Sequence, residues 1–164
     1  MVGGTDNVGI KGEVEFRVVK ADGTVKTESI PNTWTETGVQ QIIAWMNNEN
    51  PNTPAYIAFG SDDGTTLPLD KTNTALGAES TYANTSEGGR VAATKTKVTT
   101  NFTDDTLQLQ ATWNFTGSET IQETGVFDAA TGGNMFARTI RASALNMESG
   151  DQLTITWKLY LTIP

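Results

Sequence analysis

The stretch 151–163, DQLTITWKLYLTI, constrains this chain more than any other. Apolar residues take every second position, at Leu153, Ile155, Trp157, Leu159, Leu161 and Ile163, with Thr154, Thr156, Lys158, Tyr160 and Thr162 between them. Successive side chains of a strand point to opposite faces, so the spacing predicts one long strand with a wet face and a buried one. Its apolar row is worth on the order of 10 kcal/mol before the entropy of ordering is subtracted. Ser149-Gly150-Asp151 gives it a sharp start through a turn. Nothing in the stretch is chemically reactive.

The rest of the chain repeats the theme. Leu107, Leu109, Ala111, Trp113 and Phe115 alternate equally well. Val14, Phe16 and Val18 lie on one face of a strand over 13–19, and the Asp-Gly of Ala21-Asp22-Gly23 turns it into a hairpin with 25–30, closed by Pro31 and Asn32. Shorter strands are expected over 55–60, 90–102, 120–127 and 135–141, with turns at Ser86-Glu87-Gly88-Gly89, Asp104-Asp105, Gly117-Ser118 and Gly132-Gly133. One helix is expected, over 37–47. Val39, Ile42, Ile43 and Met46 fall at i, i+3, i+4 and i+7, with Thr35 or Thr37 as cap and Asn47-Asn48 as stop. About eight strands with regular turn signals predict an all-β fold. The expected form is a two-sheet antiparallel β-sandwich of jelly-roll or Greek-key type with one short amphipathic helix. With 164 residues and no break in composition, the chain reads as a single domain, 1–164. The segment 61–89 is long for a structureless loop and suggests a functional or edge feature pinned by Leu67, Leu69 and Leu76.

Composition narrows the chemistry. There is no cysteine, hence neither disulfide nor thiolate site, and no histidine, the commonest general base and metal ligand. A net charge of −8 repels phosphate backbones, so no nucleic-acid partner is expected. No apolar run is long enough for a membrane span, and no leader pattern opens the chain. Ser61-Asp62-Asp63-Gly64-Thr65-Thr66 carries oxygen ligands but lacks the spacing of a calcium loop, and an ordinary turn is the better reading. Asp104, Asp105, Glu119 and Glu123 read as solvated acidic surface, with no reason for the two aspartates to titrate abnormally. Ser80, Ser86 and Ser143 have no histidine to activate them. No enzyme activity, catalytic residue, metal ligand or cofactor is expected.

The aromatics divide by register. Trp113 and Trp157 belong to the apolar rows and to the core, whereas Trp34, Trp45 and Tyr160 lie off them and suit a protein interface better than a glycan site. The Gly-rich segment 1–10, MVGGTDNVGI, reads as an extended arm, which docks either on the chain's own body or on a neighbouring subunit. Val2, Val8 and Ile10 would supply its contacts.

Three stretches, met in this order, resemble those of tailed-bacteriophage virion proteins: the helix TGVQQIIAWM; YIAFGSDDGTTLPLDKTNTALGAES, with a G-x-x-x-G-T-T loop and then T-x-T-A-L-x-x-E; and ETGVFDAATGGNMFARTIRAS followed by SGDQLTITWKLYL. They span 37–163 and leave the N-terminal hairpin outside. The resemblance implies a structural protein of the virion that decorates and stabilises the capsid, with the major capsid protein or other virion proteins as partners. It implies a homo-oligomer and no catalysis. The alternative is a head- or tail-fibre (adhesin) domain that binds a host receptor or glycan. If the arm serves assembly, deleting residues 1–9 should leave the melting temperature nearly unchanged and lower occupancy on particles, both measured against the intact chain. Unfolding of the truncated protein would make the arm part of the domain.

Overall fold

The structure, a computed structural model, describes residues 9–49 and 52–162. It consists of two antiparallel five-stranded sheets packed face to face, as the alternating rows require. In chain order the elements are β1 (Gly9–Val19), β2 (Val25–Pro31), β3 (Thr33–Trp34), α1 (Glu36–Met46), β4 (Tyr56–Gly60), β5 (Val91–Ala92), β6 (Thr94–Val98), β7 (Thr106–Asn114), β8 (Glu119–Phe127), β9 (Met135–Met147) and β10 (Gln152–Thr162). One sheet runs β2-β1-β10-β7-β6, the other β3-β9-β8-β4-β5. Antiparallel pairs nest inside one another: β1 with β10, β3 with β9, β4 with β8, β6 with β7. The chain steps between the sheets at each edge through a single residue, Asn32 on one side and Ala93 on the other.

β10 holds the centre of the first sheet. Leu153, Ile155, Trp157 and Leu159 are buried, and Trp157 stands opposite Val14 of β1 and Leu109 of β7. Trp113 is equally buried, and Phe59 of β4 reaches it from the second sheet, edge to face, with ring centroids 5.2 Å apart. The other face of β10 is tied laterally by polar pairs, Thr112 with Thr154 at 2.9 Å and Gln110 donating to Thr156 at 3.0 Å. Both outer strands of this sheet, VKTESIP and TKTKV, are polar and lysine-bearing, which discourages pairing with a stray strand. The first hairpin turns as expected, with Gly23 at φ +86° and Lys20 and Thr24 hydrogen-bonded across it.

Four expectations change. β1 starts at Gly9, because the long β10 offers partners as far as Thr162; Gly9 and Ile10 therefore belong to the sheet and not to an arm. The run 90–102 splits at Ala93 into β5 and β6, which lie in different sheets. β9 continues to Met147, past the Arg141 at which its apolar character fades. At the far end of β10, Leu161 leaves the core and is 42% exposed.

The second sheet carries a third layer on its outer side, made of α1 and the segment 61–79. Thr35 caps α1 by accepting from the Gly38 amide at 3.0 Å, and its hydroxyl also donates to the Met135 carbonyl of β9. Gly38 lies so close to the Phe136 carbonyl that a Cβ would collide with it. The helix thus rests on a line through Gly38 and Trp45, seven residues apart, and Trp45 stacks on Phe136 with centroids 6.4 Å apart. The expected stripe faces the other way: Val39, Ile43 and Met46 are exposed. A glycine adds nothing to a hydrophobic pattern, so the true contact line was invisible to it.

Trp157→Ala should lower stability by about 3–5 kcal/mol, since it opens a cavity between β1 and β7. Thr156→Ala removes one lateral hydrogen bond and should cost about 1 kcal/mol in the same denaturant titration. Equal midpoints for the two variants would contradict the register.

Candidate functional site

Two places in the described residues stand out from ordinary packing, one charged and buried, the other apolar and exposed. The charged one lies beneath the segment 61–79. Arg138 of β9 is fully buried, and so is Glu123 of β8, which was expected on solvated surface. The guanidinium meets Glu123 Oε2 from Nη2 at 2.7 Å and from Nε at 3.0 Å, and meets Asp62 Oδ2 at 3.0 Å. Its Nη1 donates to the Leu67 carbonyl and to Asn73 Oδ1, both at 2.8 Å. Glu123 also accepts the Gly77 and Ala78 amides, and Asp62 accepts those of Gly64, Thr66 and Leu67. Burial pushes the Asp62 pKa up, but these three amides and the Arg138 charge outweigh it and hold it below 3.8.

This cluster is saturated. Every carboxylate oxygen of Asp62 and Glu123 has a donor, so the acidic loop 61–66 folds as the expected turn around its own aspartate. It is a staple between loop and sheet. Of the three leucines expected to pin the segment, only Leu76 is buried; Leu69 is 39% exposed, and the ion network does the pinning instead. A second staple holds the next turn: Arg90 pairs with Glu79 at 2.7 Å and lies over the Phe127 ring. Arg141 pairs with Glu28 at 2.6 Å. Asp105 also departs from expectation. Burial raises its pKa, but the Thr100, Asn101 and Phe102 amides and the Thr106 hydroxyl outweigh that and bring it down to about 2, so it caps its turn. Glu119 accepts from the Ser80 hydroxyl at 2.8 Å. Among the described residues no three His, Cys, Asp or Glu side chains converge as a metal would need.

The apolar place is the end of the sandwich where α1 sits. Ile10, Trp34, Ile42, Trp45, Leu107, Leu159, Tyr160 and Leu161 line a groove of about 370 Å³, with Lys97, Asp104 and Asp105 along one side. Four of the residues singled out from the sequence, Ile10, Trp34, Trp45 and Tyr160, therefore meet in one groove. The other two, Val2 and Val8, lie outside the described residues. Trp34 is fixed by its indole, which donates to the Lys11 carbonyl at 3.1 Å. Beside the groove on α1 lies the exposed stripe, with Ile43 at 59% and Met46 at 80% exposure, and these two residues with Val39 line a second shallow depression. Of the eight large hydrophobics exposed among the described residues, five (Val39, Ile43, Trp45, Met46 and Leu161) belong to this end. A clustering of that kind marks an interaction surface.

Comparison with known families finds no family model that matches the chain, and no curated protein matches it either.

Removing one partner of the buried staple leaves the others charged in a dry site. Arg138→Met should cost about 3–5 kcal/mol and loosen the segment 61–79, read as faster amide exchange there. Asp62 gives a sign for pH. Its folded pKa lies below the unfolded value of 3.8, so its contribution is full above 3.8 and is lost as pH falls through the folded pKa. The stability curves of wild type and Asp62→Asn should differ at neutral pH and converge in strong acid. Parallel curves down to low pH would contradict this.

Proposed function

We propose that this protein is a structural component of a virion, which stabilises the capsid through protein–protein contacts and uses the apolar end of the sandwich as its assembly surface. The observation that carries this reading is the collection of exposed apolar side chains around α1, at the one end where Trp34, Trp45 and Tyr160 meet. A surface of this kind is costly to leave in water and is worth keeping only where another surface covers it. The buried charges of the molecule are committed to holding loops in place, which is the part an architectural protein asks of them. The resemblance of three ordered stretches to those of virion proteins supports the same reading, and residues of these stretches build the Arg138 staple.

A structural component contributes by added buried area across subunit junctions, and its energy is concentrated in a few aromatic and aliphatic anchors. Particles assembled with Ile43→Asp should carry the protein at reduced occupancy, with the isolated variant melting where the wild type does. Electron microscopy and protein analysis of purified particles check this. Absence of the wild-type chain from purified particles would contradict the virion reading.

A further inference from the structure

One buried charge of the molecule is only half committed. Arg141 of β9 is 6% exposed, and its guanidinium lies 4.7 Å from the centroid of the Phe16 ring. Nη2 pairs with Glu28 Oε2 at 2.6 Å, and Nε donates to the Ser143 carbonyl at 3.2 Å. Nη1 is shielded from water and has no partner among the described residues. A buried donor left in that state is costly, and a partner that reaches it gains accordingly.

The surroundings of Arg141 form a pocket. On β2, Lys26 stands opposite Val18 and Glu28 opposite Phe16, so both charged side chains share the inner face of the sheet with those core residues. On β9, Ile140 pairs with Glu123 and Leu145 with Ile121, so the four residues 141–144 bulge opposite the single Gln122. A bulge re-aims a side chain, and this one brings Arg141 to Glu28. β3 pairs with β9 only at Ala137 and Arg138, and beyond them a seam runs between β9 and β2. Phe16, Val18 and Leu145, with Lys26, Glu28 and Arg141, line a cavity of about 370 Å³ in this seam. We propose that the seam is a binding site for a small organic acid, a carboxylate carried on an apolar body.

Charge selects the anion. Two cations face one carboxylate here, on a chain whose net charge is −8, and Lys26 has no ion partner among the described residues. Glu28 is tethered to the edge strand and reaches only Nη2. A free carboxylate can turn to take Nη1 and Nη2 together as a fork, the stronger arrangement. Glu28 is 45% exposed, so its release into water costs little. Phe16, Val18 and Leu145 then receive the apolar body. Beyond the charged groups only Thr27 offers a polar side chain, too little to satisfy the amides that a peptide would bring. Inward charges on an edge strand also deter stray pairing, but that role needs neither a pocket nor an unpartnered guanidinium nitrogen.

The test titrates the full chain with hexanoate and reads the methyl resonances of Val18 and Leu145. Both should saturate together, with a dissociation constant on the order of a millimolar for a ligand this small. Hexanamide, which lacks the charge, and acetate, which lacks the apolar body, should each bind about tenfold more weakly. Lys26 and Glu28 are exposed, so substitutions there keep the fold. Lys26→Gln should weaken binding about threefold. Glu28→Gln removes the competing carboxylate and should tighten binding about tenfold. Shifts confined to Leu161 in the groove, hexanamide binding as tightly as hexanoate, or weaker binding to Glu28→Gln would each overturn the proposal. So would tighter binding of a short peptide ending in leucine with a free carboxylate, which would assign the seam to a polypeptide chain end.

Discussion

A buried guanidinium is the constraint on which this structure turns. Arg138 sits in a dry layer between the second sheet and the segment 61–79, where an unpaired charge would cost several kcal/mol. It is met by two carboxylates, and their surplus negative charge is absorbed by five backbone amides. Those amides come from the segment itself, at Gly64, Thr66, Leu67, Gly77 and Ala78. A glycine- and threonine-rich stretch with few anchoring side chains is thereby held by its backbone. Without the charge cluster, nothing comparable would fix its path across the sheet, and β8 and β9 would lose their outer cover.

The same cluster draws on each of the later motifs of the sequence. Asp62 follows the strand in the G-x-x-x-G-T-T loop, Asn73 and Gly77 come from the next motif, and Glu123 and Arg138 from the third stretch. Residues far apart in the chain converge on one guanidinium, so the pattern reports an architecture. It describes how this sandwich holds its long loop, and function has to be argued from the surface. There the apolar end is the distinguishing feature, built from residues the cluster does not use.

Strict alternation made the sandwich legible in advance: the apolar row is buried from Leu109 to Trp113 in β7 and from Leu153 to Leu159 in β10, and the Asp-Gly turn and the Thr35 cap act as their chemistry requires. The failures have physical causes. Glu123 looked like a solvent-facing residue because its pairing with Arg138 spans two strands and a loop. A charge inside MFARTI, with Met135, Phe136 and Ala137 before it and Thr139 and Ile140 after it, was the available signal of a buried pair. The helix was placed correctly and turned wrongly, since its contact line runs through Gly38. The candidate interface was half visible, because Trp34, Trp45 and Tyr160 fell off the core registers. That they share a groove with Ile10 and Leu161 depends on strand order, which no local pattern encodes.

The reading proposed for this protein is that its apolar end is covered by another protein surface in the virion. Hydrogen–deuterium exchange compared between the free chain and the chain carried on purified particles tests it most directly. Slower exchange in α1 and in the turn between β6 and β7 is expected on particles, with the outer face of the first sheet unchanged. Protection confined to that polar face, with α1 exchanging equally fast in both states, would contradict it.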